Sequence, residues 1–282
     1  MDGIILLYKE KGVTSFQAVS ELKKKLLLNK IGHSGTLDPM AEGLLIALIN
    51  NATKVNEYIN YEKEYEIEIK FGIQTNTDDM EGEIINTAPV PDNIWQKIKN
   101  ILPHFKGTIK QVPPAYSAIK KNGKKYYEMA RAGQEFEIEP RKVTINSIDL
   151  ISAENDRAML RVRCAGGTYM RALARDIGEK LDSVATLSYI KRTRIGNFSA
   201  NDAKKISEID ALEGHLIPLA EAIYDMPAVL MDKDDYSKIK NGNPIDNKMN
   251  LKEGTTVKMI YNGNVIAIGE VGTGWVKVIR GI

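Results

Sequence analysis

Asp38 stands in the run Gly32-His33-Ser34-Gly35-Thr36-Leu37-Asp38-Pro39-Met40-Ala41-Glu42-Gly43, directly before a proline and among glycines at 32, 35 and 43. Pro39 pushes Asp38 out of the helical region, and the glycines allow positive φ or a close backbone approach. The result is a rigid turn presenting one carboxylate, the kind of group that serves as nucleophile or general base. Asp-Pro also initiates ordinary turns, and His33 by itself is an ordinary loop residue. An apolar run of strand length, 44–49, follows at once. The carboxylate therefore sits on a loop anchored in the core, a common place for catalytic side chains.

The whole string resembles the catalytic signature of the tRNA pseudouridine synthase B family, and further stretches carry the same resemblance in family order. Lys9-x-x-Gly12-x-Thr14-Ser15 is similar to the first motif, with Glu10 where a proline is usual, a departure expected to alter the turn and not the chemistry. Tyr65, within Glu64-Tyr65-Glu66, takes the position of the active-site tyrosine. Thr75-Asn76-Thr77-Asp78-Asp79-Met80-Glu81-Gly82 lacks the ligand pattern of a calcium loop. It is similar instead to a family loop, with Asn76 replacing an acid. Gly167-Thr168-Tyr169-Met170-Arg171 resembles the motif whose arginine pairs with the catalytic aspartate, and Ile190 takes the place of an apolar residue lining the base pocket.

The resemblance implies isomerisation of one uridine in the T loop of tRNA, at the conventional position fifty-five (U55), to pseudouridine. That reaction breaks the glycosidic N–C bond, turns the base and rejoins it through carbon 5. It calls for a nucleophile or base near the sugar, and no metal, redox group or other cofactor is expected. Asp38 would be the catalytic group, Arg171 would keep it ionised, and Tyr65 would stack on the base and help to move the carbon-5 proton. His33 would contact the RNA loop around the flipped-out nucleotide. A stand-alone monomer acting on the tRNA T-arm is implied, without guide RNA or obligatory protein partner. Two other classes remain open at this point: an RNA-binding or RNA-folding protein without catalysis, and a metal-dependent hydrolase using Asp38, His33 and Asp78.

Several elements must position these groups. Residues 3–8 read as a strand, and Thr14-Ser15 as the N-cap of an amphipathic helix reaching about Leu28. Residues 52–59 and 91–102 read as helices, and 65–71 alternates as a half-buried strand. The paired prolines Pro113-Pro114 cannot lie in a central strand, so about 108–140 is an excursion ending in a short helix near Gly133. By resemblance it is a thumb that closes on RNA. Residues 143–151 and 159–164 read as strands, followed by a glycine turn and a helix carrying Arg171. After about Ala228 come short strands and the hairpin signal Asn262-Gly263. The expected fold is α+β, a pseudouridine synthase domain (1–227) on a largely antiparallel sheet with a small RNA-binding barrel of the PUA type (228–282).

The composition is that of an ordinary soluble globular protein, 43% hydrophobic and 27% charged over 282 residues, about two domains in length. One cysteine, Cys164, rules out an internal disulfide, so a reducing compartment and the cytoplasm fit best. No apolar run has the length of a membrane span. A net charge of +2 is uninformative, but between Lys106 and Lys142 nine Lys or Arg face four Glu, a local +5. Interleaved with tyrosines, this suits phosphate contact and base stacking. Lys120, Lys121, Lys124, Lys125, Tyr126 and Arg131 are the RNA-binding candidates there. Further basic clusters stand at Lys23-Lys24-Lys25, at Arg161 with Arg163, and at Lys191-Arg192 with Arg194; each can equally be a solvated face.

Overall fold

The run at 44–49 is apolar without alternation because its strand, Glu42–Ile49, is covered on both faces. Leu45, Ala47 and Ile49 join Ile5 and Leu7 of the strand Gly3–Lys9 against the helix Ser15–Lys25. Leu44, Ile46 and Leu48 point the other way, into a cluster with Ile4, Leu6, Val265 and Ile268. The structure is a computed structural model. It describes residues 1–282 apart from Asn60, Ala118, Asn122, Gly133 and Glu135, and apart from the side chains of Lys120, Lys121, Lys125, Ala130 and Arg131.

Among the described residues the main sheet has ten strands, its principal order being Ile217–Pro218, Gly3–Lys9, Glu42–Ile49, Ala185–Ile195, Lys63–Phe71, Arg157–Cys164, Arg141–Glu154 and Gly107–Gln111. Every neighbouring pair is antiparallel except Glu42–Ile49 with Ala185–Ile195. That exception brings the strand leaving the Asp38 loop beside the strand carrying Ile190. In Lys63–Phe71 the odd-numbered residues are buried, and Glu64, Glu66 and Glu68 lie on the other face. There they pair with Arg163, Arg161 and Arg157 of the neighbouring strand. Arg161 and Arg163, read as part of a basic surface, are thus neutralised across the sheet. Lys25 is likewise used at home, pairing with Asp210 at 2.8 Å.

The helix Met170–Lys180 packs on the buried side of this half, with Leu173, Ala174 and Ile177 in the same cluster as Tyr65, Ile67 and Ile190. Several expected boundaries shift for local reasons. The first helix stops at Lys25 because Leu27 turns left-handed, and the second α-helix, Ile94–Ile101, starts only after Asn93 does the same. The short helix expected at 52–59 is a 3-10 helix that begins two residues earlier, Asn50–Ile59. Ile31–His33, read as part of the loop, is a short strand paired with Glu42–Ile49.

From Ala228 onward a five-stranded sheet runs Ala228–Leu230, Thr256–Tyr261, Asn264–Val271, Trp275–Gly281 and Ile245–Asp246. Asn262 and Gly263, both at positive φ, make the tight hairpin their sequence signals. The helix Lys233–Lys240, not anticipated, is started by the Asp232 side chain accepting from the Asp235 amide. The sheet has its own core around Val229, Val257, Met259 and Val276, and it also docks. The buried Lys258 ammonium donates to Ala220 O at 2.7 Å and Ile223 O at 3.0 Å, and Arg280 pairs with Glu57. No described helix is long and apolar enough to cross a membrane.

Candidate active site

The Asp38 turn is held from below by the first fifteen residues. Thr14 caps the first helix reciprocally with Gln17, which fixes Ser15 at its first position. The Ser15 hydroxyl then accepts from the Leu37 amide at 2.8 Å and donates to Leu37 O at 3.1 Å. Gly12 N–H donates to Pro39 O, and Ala41 N–H closes the turn onto Asp38 O. Lys9, almost wholly buried, donates its ammonium to Ala41 O at 2.6 Å and to Pro39 O at 3.3 Å. Burial draws the Lys9 pKa down to about 8, against the pull of Asp38. Gly43 is required by contact: at φ +106°, a Cβ there would lie 2.3 Å from Arg192 O on the neighbouring strand. Glu10 is turned outward to Lys205, 2.8 Å away, so the missing proline leaves the clamp intact.

Against this turn stands Arg171. Its Nε lies 2.9 Å from Asp38 Oδ2, and its Nη2 donates to Asp38 Oδ1 at 3.3 Å. The guanidinium is 7% exposed and the carboxylate 37%, so Asp38 is gripped from inside and open outward. The remaining donors of Arg171 go to Thr77 O and Tyr116 O, both at 3.0 Å. Asp79 Oδ2 lies 3.5 Å from Nη1 and supplies a second negative charge. Arg171 is thus fixed at its tip by the 75–82 loop and by the base of the thumb. At its root, the Gln111 side-chain amide brackets Tyr169, accepting from its N–H and donating to its carbonyl at the start of the helix.

The 75–82 loop is built to aim Asp79. Thr77 Oγ1 donates to Asp79 Oδ1 at 2.6 Å, Glu81 N–H to the same oxygen, and Thr75 Oγ1 to Asp79 O. Asp78, left-handed at φ +60°, pairs with Arg175 at 2.7 Å.

Tyr65 is buried in the cluster that includes Leu37, Ala41, Ile67 and Ile190. Burial raises its pKa, the Arg192 guanidinium opposes the rise, and the Asp38 charge adds to it. Asp38 and Arg171 are thus in contact, and Tyr65 and Ile190 share the cluster that holds Leu37 and Ala41 on either side of Asp38. His33 stands apart on its short strand, opposite Ala47, with Nδ1 buried and without a hydrogen-bond partner among the described residues. Burial and Arg192 lower its pKa, favouring the neutral ring.

The thumb candidates divide. Lys124 is exposed. Tyr126 is buried and stacked on Phe136 at 5.1 Å between centroids, so it braces the thumb instead of offering a face to a base. The side chains of Lys120, Lys121, Lys125 and Arg131 lie outside the described residues. Sequence reasoning missed the site roles of Lys9, Ser15, Asp79 and Gln111. Lys9, Ser15 and Asp79 carried a signal as members of family-like motifs; Gln111 carried none. It also took Arg192 for part of a basic cluster, whereas Arg192 is 1% exposed.

Residues 23–170 match the TruB family pseudouridylate synthase (N terminal domain). A protein of Caldanaerobacter subterraneus subsp. tengcongensis, named tRNA pseudouridine synthase B, is 40% identical over 95% of this chain and 94% of its own. A protein of the same name from Bacillus cereus is 38% identical over 96% and 92%. Among solved structures, a Cbf5-Nop10-Gar1 complex contains a chain that superposes with a TM-score of 0.75 at 23% identity, over 99% of this chain and 84% of that one. An H/ACA RNP bound to a substrate RNA contains another, with a TM-score of 0.73 at 22% identity over the same shares. With a family match across half its length and relatives of this identity across nearly all of it, the chain belongs to the TruB family of pseudouridylate synthases.

Proposed function

We propose that the protein converts a uridine in the T loop of tRNA, at position fifty-five, to pseudouridine, with Asp38 as the catalytic group. The observation that carries this reading is the Asp38–Arg171 pair: a carboxylate open to a ligand, on a turn tied down at every residue from Leu37 to Ala41 except Met40, beside a buried guanidinium. A guanidinium in that position holds the carboxylate in one orientation by charge-assisted hydrogen bonding when substrate covers the site and excludes water. Attack on the sugar, attack on the base and removal of a sugar proton all begin from that ion. Tyr65 stacks on the base and takes part in moving the carbon-5 proton, and Ile190 lines the pocket.

The target base lies inside a folded RNA loop, so it is flipped out at a cost of a few kcal/mol of stacking, offset by protein contacts. His33 and the thumb, with its local +5 charge, make those contacts. Residues 228–282 act as a second RNA-binding module of the PUA type. The relatives named tRNA pseudouridine synthase B support a tRNA substrate. The protein works in the cytoplasm as a monomer, without cofactor, guide RNA or obligatory partner.

The test is to incubate the purified protein with unmodified tRNA transcript and map pseudouridine nucleotide by nucleotide. A single new pseudouridine at position fifty-five is expected. Modification elsewhere with none at that position would contradict the reading.

A further inference from the structure

Arg192 has the largest fully buried side chain among the described residues, and it donates to two main-chain oxygens that flank the Asp38 turn. Nε donates to Leu44 O at 2.8 Å and Nη2 to Gly35 O at 3.2 Å. Gly35 precedes Asp38 by three residues, and Leu44 lies in the strand that leaves the Asp38 turn. Arg192 thus grips the catalytic loop at both ends. In the sheet it is the register partner of Gly43 on one side and of Tyr65 on the other. Burial, Cys164 and Asp38 disfavour charge on the Tyr65 hydroxyl and Arg192 opposes them, while the buried Lys63 ammonium stands with Arg192 beside the Gly35 turn.

Burying a guanidinium is costly, and an apolar side chain at this strand position would pack without that cost. What an apolar side chain cannot supply is a polar link between the Asp38 loop and Tyr65. We propose that Arg192 is a positioning residue for the isomerisation, locking the Gly35 turn to the strand that carries Tyr65 and setting the Tyr65 hydroxyl for removal of the carbon-5 proton. The inference rests on the roles given above to Asp38 and Tyr65.

In that step carbon 5, already joined to the sugar, releases its hydrogen as a proton to the Tyr65 oxygen, while the phenol's own proton passes through water to N1. The C–H electron pair becomes the C5–C6 double bond, and the second pair of the N1–C6 double bond returns to N1. The phenol oxygen must let go of its own proton as it accepts this one. Burial disfavours the phenolate, and an adjacent guanidinium favours it.

The test compares the full-length protein with Arg192→Gln, Arg192→Lys and Asp38→Asn on tRNA transcripts made with uridine or with 5-deuterouridine. Arg192→Gln is expected to keep KM for tRNA within about twofold and to lose about tenfold to a hundredfold in kcat. Its kcat should also drop more on the deuterated substrate than that of the unaltered protein, because proton removal becomes the slow step. Arg192→Lys should recover part of the loss.

An unaltered kcat in Arg192→Gln overturns the proposal. So does a reduced kcat with an unaltered isotope effect, the result that general loosening of the sheet would give. Should Arg192→Gln aggregate, Arg192→Lys decides alone: a lower kcat with a larger isotope effect supports the role, and unaltered values of both refute it. Asp38→Asn separates this inference from the reading beneath it. An active Asp38→Asn refutes the catalytic assignment as a whole, whereas an inactive one beside a fully active Arg192→Gln refutes only the role of Arg192.

Discussion

Asp38 and Arg171 are unequal partners, one open to solvent and one enclosed, and the difference sets what each substitution does. Lysine in place of Arg171 keeps a positive charge but cannot span two carboxylate oxygens and two carbonyls at once. Arg171→Lys should therefore lower kcat by about tenfold or more while KM for tRNA changes little, as expected for a group acting behind the proposed catalytic carboxylate. Steady-state kinetics check this, and a raised KM with unaltered kcat would move Arg171 to substrate binding. Asp38 was legible in the sequence because proline and glycine mark its turn in plain residue types. Arg192 was not, since an arginine flanked by Lys191 and Arg194 reads as surface, and only sheet register reveals that its side chain points inward.

The 75–82 loop is the element on which the orientation of Arg171 most depends, and Gly82 is its weak point. A Cβ at Gly82 would lie 2.3 Å from Thr77 Oγ1 and 2.5 Å from Asn76 Oδ1, displacing the hydroxyl that holds Asp79. Gly82→Ala should destabilise the protein by about 1–3 kcal/mol and lower kcat as well. Thermal unfolding and turnover on one preparation test both parts, and a variant normal in both would mean that the loop does not aim Arg171. The thumb makes a different prediction. Replacing Lys120, Lys121, Lys124 and Lys125 together by Ala should weaken tRNA binding and flatten its dependence on salt, because each lost phosphate contact removes part of the slope. An unchanged slope would remove the thumb from the RNA interface. Strands with strict alternation, such as Lys63–Phe71, were readable because one face is buried and the other pairs charges. The helix Lys233–Lys240 was not, since its apolar face is only Tyr236 and Ile239, half-buried against the C-terminal core and too short a stripe to signal a helix.

At the scale of the whole molecule, the strand Glu42–Ile49 is shared property. Its odd residues belong to the layer of the first helix, and its even residues to a cluster completed by Val265 and Ile268. The C-terminal sheet is thus coupled to the strand that leaves the catalytic turn. Carboxylates at Val265 and Ile268 should separate the two parts, turning one cooperative calorimetric transition into two. A single transition at the original temperature would show that the contact contributes little. The continuous apolar run signalled burial on both faces, but the chain alone did not say what would cover each face, because both covers are remote in sequence. Turnover of tRNA depends on all these levels, and Asp38→Asn isolates the one group they serve. Asparagine keeps the size of the side chain and most of its turn-forming capacity, and loses only the charge and nucleophilicity. With tRNA carrying tritium at carbon 5 of uridine, the variant should fold, bind tRNA like the unaltered protein and release no tritium. Tritium release near the normal rate would contradict the assignment of Asp38 as the catalytic group.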